Sequence, residues 1–124
     1  MIRFAWVMAG GGLGAASRYA ITLLAARLVG AGFPWGTLIV NWAGCYLIGA
    51  LFALGERAAW FGPSARLFLM TGFLGGLTTF STYGLESVNA ARSGWLPALA
   101  NIAAHNIGGL LLVVIGMMTV RMIK

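Results

Sequence analysis

Charged side chains are too scarce in this chain to cover the surface of a soluble domain. The 124 residues include eight lysines and arginines and two acidic residues, whereas 60% of the residues are hydrophobic. A typical soluble domain is about 45–50% apolar and about 25% charged. The composition therefore excludes a soluble enzyme, a disordered tail and a disulfide-stapled secreted module, and it predicts a small polytopic membrane protein.

Four apolar stretches divide the chain, at about residues 4–29, 35–55, 66–91 and 96–120. Each is long enough for a membrane-spanning helix, which needs about 20 predominantly apolar residues. Because the loops between them are short, neighbouring helices should run antiparallel. Four such helices fill the chain, so we expect an all-α, multi-pass membrane domain over residues 1–124 whose surroundings are the lipid bilayer.

The basic residues are scattered singly and form no patch that would suit nucleic acid. If the termini and the middle loop share one side of the membrane, that side carries Arg3, Arg57, Arg66, Arg121 and Lys124. The other side carries Arg27 and Arg92. This bias favours cytoplasmic termini.

Small residues recur four positions apart in three of the four stretches. The pairs are Gly10 with Gly14, Gly11 with Ala15, Gly49 with Ala53, and Gly72 with Gly76. Small residues at this spacing allow helix backbones to approach closely in lipid. The pattern predicts a tightly packed bundle.

The third stretch contains poor material for a continuous helix. Residues 72–84 include the adjacent glycines Gly75 and Gly76 and four hydroxyl residues, which favour other conformations or caps. A continuous helix whose hydroxyls bond back to the preceding turn is the alternative. The density of glycines and hydroxyls favours a break at mid-membrane, where irregular backbone persists only if it is buried in protein or lines a wet cavity.

Two pairs of polar residues share helix faces in the other stretches. Thr37 and Asn41 lie four apart in the second stretch, and Asn101 and His105 lie four apart in the fourth. Polar side chains at membrane depth usually face a partner or a pathway. One pair alone is typical of contacts between helices, whereas two pairs beside a broken helix favour a polar track.

The chain offers no arrangement of residues for catalysis. Its acids are Glu56, next to a loop, and Glu86, and neither is near the histidine in sequence. A lone Cys45 in an apolar run excludes a disulfide within the chain and a cysteine metal cluster. We therefore expect a protein that is not an enzyme.

At these residues the sequence resembles the Fluc (CrcB-type) fluoride channels. The matching segments are residues 11–18, residues 36–41 with Gly44, residues 72–83 followed by Glu86, and the polar face of the fourth stretch. The resemblance covers nearly the whole chain, and the motif of the third stretch is highly specific to the family.

The resemblance implies an antiparallel, dual-topology dimer of four-helix subunits in the bacterial plasma (inner) membrane, with two pores that export fluoride passively and relieve fluoride toxicity. It also implies a structural sodium ion at the dimer centre, bound by the backbone carbonyls of Gly75 and Thr78. The pore residues that it implies are Asn41, Phe80, Ser81 and Tyr83, with Thr37, Thr82, Asn101 and His105 as a polar track.

Three features need separate expectations. The family usually has phenylalanine at the position of Tyr83, but a phenol keeps the electropositive ring edge and adds a hydroxyl, so function should survive. Arg18 lies inside a span, where arginine is costly, and we expect it to be structural or to attract anions. The bias in basic residues between the two sides of the membrane fits one half of a heterodimer with an oppositely biased homologue. Because this bias is modest, we favour the homodimer.

Elementary chemistry agrees with fluoride but does not select it over chloride. A small anion that holds water tightly needs replacement donors, which the Asn41 amide, the Ser81 hydroxyl and the edge of Phe80 can supply. A small multidrug transporter is an alternative, but such carriers use a glutamate in the first span, where this chain has Arg18. A non-transporting subunit of a membrane complex is a second alternative, against which the broken third span argues.

Overall fold

Glycine and proline mark the ends of the long helices in a computed structural model that describes residues 1–30 and 32–123. Helix α1 covers Ile2–Val29 and ends at Gly30, whose positive φ of 86° suits glycine. Helix α2 covers Trp35–Arg57 and begins directly after Pro34. Ala31 and Lys124 lie outside the described residues. Both belong to the predicted domain, and Lys124 also belongs to the count of basic residues on one side of the membrane.

The third stretch forms two helices. Helix α3 covers residues 63–77, with α-helical turns at Pro63–Arg66 and Gly75–Leu77 on either side of a π-helical segment, Leu67–Leu74. Helix α4 covers Phe80–Ser93. The final helix, α5, covers Trp95–Met122 and contains a second π-helical segment, Ala104–Gly108. The all-helical prediction is confirmed, since no strand forms among the described residues.

Within the described part of the chain, two helices have both the length and the apolar character of a membrane span, α2 with 23 residues and α5 with 28. The most apolar window of each has a mean hydropathy of 1.8. Large apolar side chains on several helices are exposed on the single chain, as expected for a protein surrounded by lipid. The depth at which each helix crosses the membrane stays a prediction.

The core lies where α3 packs between α1 and α2. Val40, Leu74 and Leu77 are buried there, and Phe73 packs partly buried against them. The predicted close approach of small residues is confirmed: a Cβ on Gly14 would collide with the backbone at Phe73 and Leu77. A similar collision would occur in the α2–α5 contact, where Gly49, Gly116 and their partners bring two backbones together.

Arginines satisfy helix-end carbonyls at the end of the bundle that carries the middle loop. Arg57 donates to the carbonyl of Val120, in the last turn of α5, at 3.1 Å and to that of Ile123, which directly follows α5, at 3.2 Å. Arg66 donates to the Gly55 carbonyl at 2.6 Å, near the end of α2. The last carbonyls of a helix have no intrahelical donor, so these basic residues have a structural use beyond any effect on orientation.

The glycine contacts give a direct prediction for stability. Gly14→Ala should lower the stability of the purified protein by about 1–3 kcal/mol, because the new methyl group overpacks the α1–α3 contact. Gly12 lies two residues away on the same helix, and a Cβ there would meet no atom within 4 Å. Gly12→Ala is therefore the matched control. Thermal unfolding in detergent should separate the two variants, and equal midpoints would contradict the packing.

Candidate functional site

The third stretch is interrupted at two consecutive threonines. Thr78 has φ −85° and ψ 156°, and Thr79 has φ −149° and ψ 111°, so both are extended between α3 and α4. The predicted break is therefore confirmed. Asn41 satisfies the freed backbone: its Oδ1 accepts from the Thr79 N–H at 2.8 Å, and its Nδ2 donates to the Thr79 carbonyl at 3.1 Å. Asn41 thus holds the break from α2.

Arg18 holds the same break from α1. Its Nη1 donates to the Thr78 carbonyl at 3.2 Å, while the Thr78 hydroxyl donates to the Leu74 carbonyl at 2.9 Å. A guanidinium inside a span is costly unless it finds an oxygen partner, and a carbonyl released by the break supplies one. This contact is the kind that a structural role would need, and the role of Arg18 stays a prediction.

We predict that Arg18→Gln destabilises the protein by about 1.5–3 kcal/mol, the usual range for a hydrogen bond to a charged group. The shorter glutamine loses the contact with Thr78. Arg27→Gln is the matched control, because Arg27 lies on the same helix and is exposed. Denaturation in detergent measures the effect. An Arg18→Gln protein that assembles and transports normally would remove both roles expected for Arg18.

The residues at the break fit a small hard cation. The Thr79 N–H donates to Asn41 and not to the Gly75 carbonyl four residues earlier, and the Thr82 N–H donates to the Thr79 hydroxyl and not to the Thr78 carbonyl. Both carbonyls therefore lack their α-helical donors. A Cβ on Gly75 would meet no atom within 4 Å, so its surroundings are open. Neutral carbonyl oxygens suit sodium as ligands, although the Thr78 carbonyl also accepts a hydrogen bond from Arg18.

Hydroxyl groups cap the start of α4. Thr79 is its N-cap, and its Oγ1 accepts from the Thr82 N–H at 3.3 Å. The Thr79 hydroxyl donates to Thr82 Oγ1 at 2.9 Å and lies 3.4 Å from Ser81 Oγ. Ser81 and Thr82, both predicted pore residues, are exposed beside the break. Thr79 therefore connects them to Asn41, because its hydroxyl lies beside their side chains and its backbone is bonded to the Asn41 amide.

A cavity of about 410 Å³ brings several predicted residues together. Its lining includes four predicted pore residues, Asn41, Phe80, Tyr83 and His105, and both predicted sodium ligands, Gly75 and Thr78. Phe80 and Tyr83 contact each other, with ring centroids 5.4 Å apart and planes at 64°. Their spacing of three residues in α4 brings the two rings together, and the edge of an aromatic ring is electropositive.

A hydrogen-bonded chain joins α4 to α5 behind the Tyr83 ring. Asn101 is completely buried, and its Nδ2 donates to Ser87 Oγ at 2.9 Å, while the Ser87 hydroxyl donates to the Tyr83 carbonyl at 2.8 Å. His105 Nδ1 lies 3.0 Å from the Asn101 carbonyl. Asn106 Nδ2 donates to the Tyr83 hydroxyl at 2.9 Å. The face of α5 that carries Asn101 and His105 therefore packs against α4.

The sequence analysis assigned no role to Ser87 or Asn106. Ser87 lies four residues after Tyr83, so it shares a helix face with the aromatic pair, and this spacing was the available signal. Asn106 directly follows His105, and consecutive helical residues point in different directions. A regular helix gives no reason to place both beside Tyr83.

Thr37 lines a different cavity, of about 430 Å³, near the other end of α4. Its hydroxyl donates to Glu86 Oε1 at 2.7 Å, and Glu86 lines the same cavity. Buried polar atoms usually have partners, yet Glu86 Oε2 and His105 Nε2 have none within the described part of the chain. Of the four residues of the predicted polar track, His105 lines the first cavity, Thr37 lines the second, and Thr82 and Asn101 are not among the lining residues of either.

The chain is similar in sequence to known membrane proteins. The family model described as CrcB-like protein, Camphor Resistance, matches residues 5–117. A protein of Salinibacter ruber is 45% identical over 117 residues, covering 94% of this chain and 87% of that protein. A protein of Nitrosococcus oceani is 41% identical over 115 residues, covering 92% of each. Both relatives bear the name fluoride-specific ion channel FluC.

Proposed function

The chain belongs to the CrcB family, and we propose that it is a fluoride-selective channel through which fluoride leaves the cell passively. The family consists of membrane ion channels and not of enzymes, so the chain is a membrane protein that transports an ion. We place the channel in the bacterial inner membrane, where the export of fluoride would relieve its toxicity to the cell.

The observation that carries the proposal is the position of Asn41 among the residues of the cavity at the break. The amide nitrogen of Asn41 has two hydrogens, and the contact with the Thr79 carbonyl uses one of them. The second can donate to an anion in the cavity that Phe80 and Tyr83 also line. An amide held rigidly by the break on one side offers a fixed donor on the other.

Such a site suits an anion that must lose its water. A selective pore replaces the hydration shell with groups of its own. Here these groups are the free hydrogen of Asn41, the Ser81 hydroxyl and the ring edges of Phe80 and Tyr83. Each of these groups is neutral. Thr82, Asn101, His105 and Thr37 extend the polar path toward α5 and the second cavity.

A second copy of the chain would complete this site. The side chain of Phe80 is 81% exposed on the single chain although it lies beside the break. We therefore propose an antiparallel homodimer in which two copies enclose two pores. Labelling of a terminal tag from both sides of the membrane, in cells that make only this chain, would support it. Labelling from one side only would overturn the dual topology and favour a heterodimer.

The released carbonyls of Gly75 and Thr78 would hold one sodium ion between the two copies. Bound there, the ion would supply positive charge near the path of the anion. Sodium should therefore raise the melting temperature of the protein above its value in a large organic cation, and it should do so equally in Thr78→Ser, because the ligand is backbone. Equal melting temperatures of the parent protein in both cations would contradict the site.

A growth experiment tests the proposed role in cells. A bacterial strain without its own fluoride exporter should grow in otherwise inhibitory fluoride when it produces this chain. Membrane fractionation should place the chain in the inner membrane of the same cells. Failure to restore growth, with the chain present in that membrane, would contradict the role.

A further inference from the structure

The hydroxyl of Tyr83 is tied to helix α5 by a single side chain. Asn106 Nδ2 donates to the phenol oxygen at 2.9 Å. The Tyr83 side chain is only 9% exposed, and its ring lies against His105 with centroids 4.4 Å apart. A buried phenol needs a hydrogen-bond partner, and Asn106 meets this need at the lining of the cavity at the break.

A distortion of α5 places Asn106 there. The segment Ala104–Gly108 is π-helical, which widens the turn and changes the directions of the side chains on it. Trp42 of α2 stabilises this turn: its Nε1 donates to the Ala104 carbonyl at 2.9 Å. Its indole also covers Gly108, where an added Cβ would lie 2.9 Å from the ring. His105 and Asn106 can thus contact Tyr83 together.

Asn106 has no amide hydrogen left for an anion. Its Nδ2 donates to the Tyr83 hydroxyl and also to the Ile102 carbonyl at 2.8 Å, and a side-chain amide has two hydrogens. The contact with Ile102 fixes the amide on its own helix. Any effect of Asn106 on an anion in the cavity must therefore act through the Tyr83 ring.

We propose that Asn106 is a positioning residue of the fluoride path, which fixes the Tyr83 ring through its hydroxyl and so holds the orientation of that ring against Phe80 and at the cavity. This inference rests on the proposed function of the chain. Without Asn106 the buried phenol would have to turn toward another partner, and the ring edge would move with it. A phenylalanine ring has no hydroxyl to satisfy and would stay against His105.

A double-mutant cycle tests the interaction, because it isolates the dependence of one side chain on the other. The measured quantity is the rate of fluoride efflux from liposomes that contain equal amounts of dimeric protein. Asn106→Leu should reduce this rate by about tenfold, since it leaves a buried hydroxyl without a partner. Tyr83→Phe supplies the second background of the cycle, and adding Asn106→Leu to it should change the rate of that background little, since both partners are then apolar.

Thr119→Val is the matched control on α5, because the Thr119 hydroxyl donates to the Ile115 carbonyl of the same helix and to no other group among residues 1–30 and 32–123. It should leave the rate unchanged. If Asn106→Leu alone does not yield folded protein, recovery of the fold by Tyr83→Phe supports the same coupling, and no recovery overturns it. Equal losses in both backgrounds, or no loss in the parent background, would also overturn the inference. A parent protein that passes no fluoride would instead overturn the proposed function.

Discussion

Asn41→Asp should reduce fluoride efflux by about a thousandfold, because a fixed negative charge about 4 Å from an anion costs about 4 kcal/mol near a protein surface. The change also removes the amide hydrogens. Asn41 Nδ2 donates to the Thr79 carbonyl at 3.1 Å, and a carboxylate oxygen there would repel that carbonyl. The substitution therefore damages both the anion site and the support of the break. Efflux from liposomes with equal amounts of dimeric protein measures the loss.

Two controls separate the charge at this position from other effects. Ser64→Asp adds the same charge at an exposed residue at the start of α3 and should leave efflux unchanged. Asn41→Ser is neutral, so it should lose less than Asn41→Asp. A folded Asn41→Asp dimer that transports fluoride at the parent rate would show that the anion does not pass Asn41.

Phe80→Ile should reduce fluoride efflux by about tenfold, the equivalent of about 1.4 kcal/mol lost from interactions with the aromatic ring edge. An aliphatic side chain has neither an electropositive edge nor a donor. Phe80 is 81% exposed on the single chain, and its ring makes a T-shaped contact with the ring of Tyr83, with centroids 5.4 Å apart. A ring in this position contributes little to the core of its own subunit, so the loss should appear in transport.

Tyr83→Phe is the matched control, because it keeps the aromatic edge at the neighbouring position. Its efflux should stay within about twofold of the parent rate, since only the hydroxyl is lost. Equal amounts of well-folded Phe80→Ile and parent dimers make the comparison fair. Equal efflux from those two proteins would show that Phe80 and Tyr83 only pack against neighbouring helices and do not contact the anion.

The helices and the break could be predicted from the sequence because local chemistry determines them. Apolar runs fix where helices form, and adjacent glycines next to hydroxyl residues favour the interruption found at Thr78 and Thr79. The face shared by Asn101 and His105 also follows from helical spacing. These features depend on residues close together in the chain.

The partners of the polar side chains could not be predicted in the same way. Asn41 was expected to offer its amide to an anion, but the sequence could not show that the Thr79 backbone engages both its polar atoms. Thr37 shares a helix face with Asn41, yet it meets Glu86 at another cavity because α2 runs past both. Asn106 reaches Tyr83 from a π-helical turn, which no local pattern indicated.

Anion efflux from liposomes that contain only this chain is the most direct test of the proposed function. With the membrane potential collapsed by a potassium ionophore and no pH difference, fluoride should leave rapidly and chloride should be retained. The same liposomes without protein give the background rate. Equal efflux of fluoride and chloride, or fluoride efflux that requires a proton gradient, would contradict a passive fluoride-selective channel.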